Sequence, residues 1–598
     1  MTIEPRTPGT DQLRILFLVS AHNGLSQRAF VALTELGYEV TVAVVNSPEA
    51  MEAAVDEHDP ELIVCPFLKT MIPESIWARR RCLVVHPGPR GDRGPSSLDW
   101  AIELGMAEWG VSVIQATGEV DGGPVWATRS FPMRGGGKSS LYRHEVRRAA
   151  IGALLEAIAK IRGGGTPLKA SHPSQPVPMA RARPLMTQDR RAIDWSSDST
   201  VRVLRKVRAA EGSPGVLDVI AGCEFHLFGA HPEQTLRGRP GEIVARRDGA
   251  ICRATTDGAV WLTHMKQRDD PPHRYFKLPA TRALALAGVE LEVPHVGVAI
   301  DAPARLDSTY REILYAERGR VGYLRFDFYN GAMSTDQCRR LHEAYEYARR
   351  RSQTRVIVLM GGRDYFSNGM HLNLIEASDD PAAESWRNLI AIDDLVQAVI
   401  ETDSHLVVSA LAGDAAAGGV PFAVAADFVV ASEDVVLNPY YQHMGGLYGS
   451  EYWTYLLPRR VGAAMAARLV GPPFDPIGAG EAVRLGLLDM VFGATLAGFN
   501  TRTRALAEGL AREPEFTDAL ERKRRRRAED EAVKPLHAYR SEELAPSHEC
   551  FFGPDQIYHE ARHRFVHKLP APRISPFHDV REEQTHVARP TLRSHGAR

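Results

Sequence analysis

Two separate stretches of this chain alternate short β-branched apolar runs with helically spaced segments, and this doubled pattern constrains the fold most. In the first stretch ILFLVS (15–20), VTVAVV (40–45), LIVC (62–65) and LVV (83–85) read as buried strands, with SQRAFVALTELG and PEAMEAAVDEH as helices between them. Such alternation with short connections predicts a parallel, doubly wound sheet. In the second stretch YLRFDF, VIVLMGG, HLVVSAL and FVVAS are the strands, and STDQCRRLHEAYEYARRR and 385–401 the main helices. Between the two lies a Pro-rich linker (166–183), then a segment whose DG turns and short strands signal a small β-structure. The chain is therefore read as α/β multidomain: 1–165, 184–292, 311–510, and a charged helical extension, 511–598. Its 598 residues allow roughly four domains at about 150 residues each.

Composition excludes several classes. With 72 Lys+Arg against 74 Asp+Glu, neither sign is in excess, so nothing points to nucleic acid or an anionic membrane. No apolar run approaches the ~18 residues that cross a bilayer, and the N-terminus lacks a secretory pattern. The six cysteines lie far apart without a CxxC pair, which suits reduced thiols in a cytoplasm. The basic run Arg522–Arg527 has acidic neighbours and reads as a solvated helix face. His559, His563 and His567 share one helix face, but no carboxylate or Cys completes a ligand set, so no resident metal is expected.

Two loops carry chemistry. His86 stands at the carboxyl end of a strand, the edge where open α/β sheets bind ligands, and Asp121 follows a later strand in VDGG. Such a pair forms an oriented acid–base couple, and the Gly/Pro-rich loop between them permits close approach of a ligand. In the second stretch, MGGRDYFSNGMHLN and AGDAAAGGVPFAVAAD each follow an apolar strand. Two such loops can aim backbone N–H groups at one point, as in an oxyanion hole.

VVHPGPRGDRGPSSLDWAI followed by WGVSVIQATGEVDGGPVWA resembles the methionyl-tRNA formyltransferase superfamily, whose members use 10-formyltetrahydrofolate. The resemblance implies a Rossmann-like folate-binding domain with His86 and Asp121 as catalytic residues and Arg93–Gly94 at the ligand. It places Val84 where the family has an Asn that helps polarise the formyl carbonyl. The segment from Pro184, with IDW and VRAAEGSPG, resembles the formyltransferase C-terminal domain. The second stretch resembles the crotonase (enoyl-CoA hydratase/isomerase) superfamily through RVIVLMGGRDYFSNGMHL, ALAGDAAAGGVPFAVAADFVVAS, PRRVG and EAVRLGLLDMV. This implies coenzyme A as ligand, oxyanion donors at the amides of Met370 and Gly418, and Gly369 and Gly419 beside them. The two hydratase glutamates fall on Pro421 and Tyr441, so hydration of an enoyl thioester is not expected. Tyr441 and Glu451, ten residues apart, are the replacement acid–base pair, with either order of roles open.

The pairing of both halves resembles the HypX/HoxX-type nickel–iron hydrogenase maturation factors across nearly the whole chain. This implies formyl transfer from 10-formyltetrahydrofolate to CoA, then decarbonylation of formyl-CoA to CO and CoA, with hydrogenase maturation proteins as partners. Alternatives are a formyltransferase acting on an amine with an unrelated acyl-CoA half, or a non-catalytic folate- and CoA-binding scaffold.

Overall fold

The computed structural model describes residues 13–169, 182–302, 308–493 and 495–569. The terminal HGAR and most of the expected linker lie outside the described residues.

The first domain is a six-stranded sheet ordered Glu39–Val44, Arg14–Val19, Leu62–Cys65, Cys82–His86, Glu108–Gln115, Val125–Pro132. Its central strands are buried on both faces, which is why they read as unbroken apolar runs. The expected all-parallel sheet is corrected at one edge. The first four strands are parallel, but Glu108–Gln115 runs antiparallel to Cys82–His86, and Val125–Pro132 antiparallel in turn. Asp121 therefore does not sit on a strand end beside His86. Gln115 lies beside Leu83, at the start of the His86 strand, and the following loop must turn back to reach the histidine.

The second domain packs the helix Thr200–Ala210 on an antiparallel sheet whose central strands are Cys223–Glu233 and Ala259–Gln267. Val203, Leu204, Val207 and Ala210 on that helix meet Phe225, Leu227, Val260 and Leu262 on the sheet.

The third domain has a six-stranded sheet from Ile313–Arg318 to Met490–Phe492 and, above it, a smaller one. In the smaller sheet Tyr365–Ser367 and Asp414–Ala416 pair in parallel, which brings the two Gly-rich loops together. The expected C-terminal extension is helical over its described residues, as Glu515–Val533, Leu536–Phe552 and Ile557–His567. It folds back onto the third domain: Leu536 joins the main core, and Phe551 and Tyr558 pack with Leu389 and Leu447. The basic run is likewise not wholly solvated. Lys523 is buried and reaches Asp427 at 2.7 Å, and burial lowers its pKa despite that carboxylate.

The first and third domains meet through ion pairs. Arg147 reaches Asp414 at 2.8 Å, Arg148 reaches Asp434 at 2.6 Å, and Asp364 takes His144 at 3.0 Å and Arg143 at 3.4 Å. Burial alone would raise the Asp364 carboxyl, but His144 and Arg143 hold it well below the usual range. Of these pairs Arg147–Asp414 is the buried one, and removing one of its partners leaves an uncompensated charge, which costs about 3–5 kcal/mol. No described helix is long and apolar enough to cross a membrane.

Candidate active sites

His86 ends its strand with its ring buried between two carboxylates. Its Nδ1 lies 3.4 Å from Asp121 Oδ1 and its Nε2 3.1 Å from Asp92 Oδ2. The structure thus brings the two expected residues together and adds Asp92. Its six-residue distance from His86 inside GPRGDRG gave no periodic signal. Asp92 is itself paired with the buried guanidinium of Arg183, at the end of the linker. Asp121 occupies the left-handed region at φ 53°, which costs a non-glycine residue about 1–3 kcal/mol. The Gly94 N–H donates to its Oδ2 at 3.1 Å and helps hold that conformation. Gly94, at φ 113°, admits no side chain: a Cβ there would lie 2.2 Å from the Arg183 carbonyl oxygen. Arg93 directs its guanidinium to Glu119 at 3.0 Å. Val84 is half-buried and packs with Leu16, Ile63 and Cys82.

In the third domain the Gly-rich loops close against each other. A Cβ on Gly369 would lie 3.2 Å from the Gly418 amide nitrogen, and one on Gly419 2.1 Å from the Ser367 carbonyl oxygen. Both glycines thus let the loops approach. Among the described residues no backbone hydrogen bond takes up the Met370 or Gly418 amide. Glu451 lies directly beside this point: a Cβ on Gly418 would be 2.2 Å from Glu451 Oε1. The Tyr441 hydroxyl donates to Glu451 Oε2 at 2.9 Å, and both side chains are buried. Gly449 covers the Tyr441 ring, since a Cβ there would lie 2.5 Å from it. The two Gly-rich loops, Tyr441 and Glu451 therefore form one cluster.

Glu451 and Tyr452 are both in the left-handed region, at φ 61° and 58°. Two further buried acids hold this turn. The Glu451 N–H donates to Asp393 Oδ1 at 2.8 Å, and the Ser450 hydroxyl reaches both Asp393 oxygens at 2.6 and 2.7 Å. Glu543, from the helix Leu536–Phe552, accepts from the Tyr452 N–H at 2.8 Å and the Thr454 N–H at 2.7 Å. Neither acid was identified from the sequence. Asp393 was detectable in principle, as an acid in the apolar stripe of its helix between Leu389 and Val396.

The buried acids shift one another. Burial first, then the charge of Asp393, pushes Glu451 up to about 8 against the opposing bond from Tyr441. Burial and the Glu451 charge hold the Tyr441 phenol well above 10. Burial raises Glu543 to about 8 and Asp393 to about 6. A carboxyl poised near 8 is a stronger base than an exposed one, and its phenol neighbour keeps its hydrogen at neutral pH.

The sequence expectation for the C-terminal histidines is corrected. A carboxylate does complete them: Glu376 lies against His563 and His567, whereas His559 turns to the Phe551 carbonyl at 3.0 Å. Glu376 is 187 residues from His563, so no spacing rule connects them.

Family models match all three units: Formyl transferase over residues 14–158, Formyl transferase, C-terminal domain over 185–274, and Enoyl-CoA hydratase/isomerase over 323–571. The last span runs into the C-terminal helices that supply Glu543. Hydrogenase maturation factor HoxX of Bradyrhizobium diazoefficiens is 47% identical over 565 residues, covering 94% of this chain and 96% of that protein. This chain belongs to the HypX/HoxX family of hydrogenase maturation factors. HypX from Aquifex aeolicus, solved in complex with tetrahydrofolic acid, superposes with a TM-score of 0.90 at 42% identity, over 95% of this chain and 98% of that one. Methionyl-tRNA formyltransferase of Roseiflexus sp. is 30% identical over 206 residues, 33% of this chain and 59% of that enzyme. The HypX/HoxX chain therefore carries formyltransferase and enoyl-CoA hydratase-like halves in one polypeptide, as its sequence implied.

Proposed function

We propose that this HypX/HoxX-family chain makes CO in two steps. It transfers the formyl group of 10-formyltetrahydrofolate to CoA, then decarbonylates formyl-CoA. The observation that carries the reading is the Tyr441–Glu451 pair, 2.9 Å apart, at the meeting of two amide-bearing loops in a chain that also holds His86 between two carboxylates.

In the first step His86 takes the thiol proton of CoA, and the sulfur attacks the formyl carbon. The carbon–nitrogen bond then breaks, and His86 returns its proton to the leaving nitrogen of the folate. Asp121 and Asp92 orient the ring and stabilise its charged form. Folate binding accords with the relative solved with tetrahydrofolic acid.

In the second step the Met370 and Gly418 amides hold the thioester oxygen. Glu451 removes the formyl hydrogen as a proton, the C–H electron pair stays on carbon, and the C–S pair leaves with sulfur. A phenol held well above 10 is a weaker acid than a thiol, so Tyr441 does not ionise alone. It passes its hydrogen to sulfur while taking the one Glu451 has gained. The products are CO and CoA–SH. The CO serves the iron centre of a nickel–iron hydrogenase in the cytoplasm, through maturation proteins that receive it.

The test supplies 10-formyltetrahydrofolate and CoA and follows the CO spectrum of deoxyhaemoglobin. CO dependent on both substrates and abolished in Glu451→Gln supports the reading. Loss of the formyl group without CO, or CO that survives Glu451→Gln, contradicts it.

A further inference from the structure

His563 and His567 lie one turn apart on the helix Ile557–His567, so their rings project from one face. That face lies on the short helix Leu372–Glu376, where Glu376 Oε1 is 2.6 Å from Nδ1 of His563 and 3.4 Å from Nε2 of His567. The three ligand atoms lie within 4.8 Å of one another, and among the described residues no other set of His, Cys, Asp and Glu is so arranged.

Groups behind the cluster set its orientation. Arg562 Nε donates to Glu376 Oε2 at 2.8 Å, leaving Oε1 to the rings. The Arg274 carbonyl is a second hydrogen-bond partner of the His567 ring. A neutral imidazole has one N–H and one lone pair. A cation entering between Glu376 and the His567 ring, 3.4 Å apart, takes that lone pair and the carboxylate oxygen as ligands. Ligands about 2.0–2.2 Å from a tetrahedral ion stand about 3.4 Å apart, which the Glu376–His567 distance matches, while His563, hydrogen-bonded to Glu376 at 2.6 Å, draws back to admit the ion. Carbonyl and arginine contacts of this kind are what orient ligating imidazoles and carboxylates in metal sites.

We propose that Glu376, His563 and His567 bind one divalent cation of the zinc type, with a fourth position open to water on the half-exposed His563 side. Two imidazoles and a carboxylate are a borderline ligand set that suits Zn2+. The ion is placed to position rather than to react. It ties the C-terminal helix to Leu372–Glu376, which begins two residues after the oxyanion residue Met370. The same helix touches the loop between Tyr441 and Glu451, since a Cβ on Gly445 would lie 2.7 Å from the Ile557 carbonyl oxygen.

The test uses the full chain, stripped with chelator and titrated with Zn2+ alone, with bound metal counted after desalting and the visible spectrum recorded with Co2+. Wild type and a His559→Gln control are expected to retain one equivalent and to show tetrahedral Co2+ bands. His563→Gln, at a half-exposed position that tolerates substitution, and His567→Gln are expected to bind roughly 100-fold more weakly or less tightly still, and to lose those bands. Failure of wild type to retain Zn2+, or equal retention in His563→Gln and wild type, overturns the proposal.

Discussion

His86 in the first half lies between two carboxylates, Asp92 and Asp121, whereas Glu451 in the second half lies between a phenol and a third buried acid. In the first, the two carboxylates hold the ring from both of its nitrogens. In the second, like charges and burial work against the ionised form, so the carboxyl is held near 8. The first arrangement suits a group that must both take and return a proton within one transfer. The second suits a group that must abstract a weakly acidic hydrogen and then give it up. The backbone follows the same division. One left-handed non-glycine residue, Asp121, shapes the first site, whereas Ala417 beside Gly418 and the successive Glu451 and Tyr452, held by Asp393 and Glu543, shape the second.

If the halves divide the chemistry in this way, their variants separate. Glu451→Gln is expected to lower CO release by about 100- to 10,000-fold while loss of the formyl group from folate continues, so formyl-CoA builds up and is seen by chromatography. His86→Asn is expected to lower folate deformylation by a similar factor, measured as tetrahydrofolate release. Gly418→Ala drives a methyl group to 2.2 Å from Glu451 Oε1 and displaces the donor beside it. It is expected to cost about 100- to 1,000-fold in CO release, and nothing in deformylation.

Smaller effects test the acid cluster. Only ionised Glu451 accepts the proton, so CO release from formyl-CoA should rise with pH and level off above about 8. Asp393→Asn keeps an acceptor for the Glu451 N–H but removes the like charge, and should move that midpoint downward. A profile unmoved by Asp393→Asn would detach the third acid from the chemistry. Stability gives the smallest signal. Glu451 and Glu543 rise from 4.5 to about 8 on folding and Asp393 from 3.8 to about 6, so the folded state binds more protons than the unfolded one. Stability therefore falls as pH rises from about 4.5 to 8, and Glu543→Gln should flatten that decline in thermal melts.

The sequence made much of this legible. The doubled strand–helix pattern located both sheets, and the Gly-rich loops, His86, Asp121, Tyr441 and Glu451 were identified and came together in pairs. What it hid was long-range. The antiparallel turn at Glu108–Gln115 leaves the apolar pattern unchanged, so a parallel sheet was expected. Arg183, Asp393 and Glu543 act on groups far away in sequence, and so does Glu376. The C-terminal helices read only as a charged extension because their charged residues outnumber the few, such as Leu536, Glu543 and Phe551, that face the core.

The most direct measurement supplies formyl-CoA itself, without folate, to the two single variants and follows CO with deoxyhaemoglobin. His86→Asn should release CO at the wild-type rate, and Glu451→Gln should release almost none. Equal loss in both variants, or CO release that survives Glu451→Gln, would contradict a chain whose second half alone breaks the thioester.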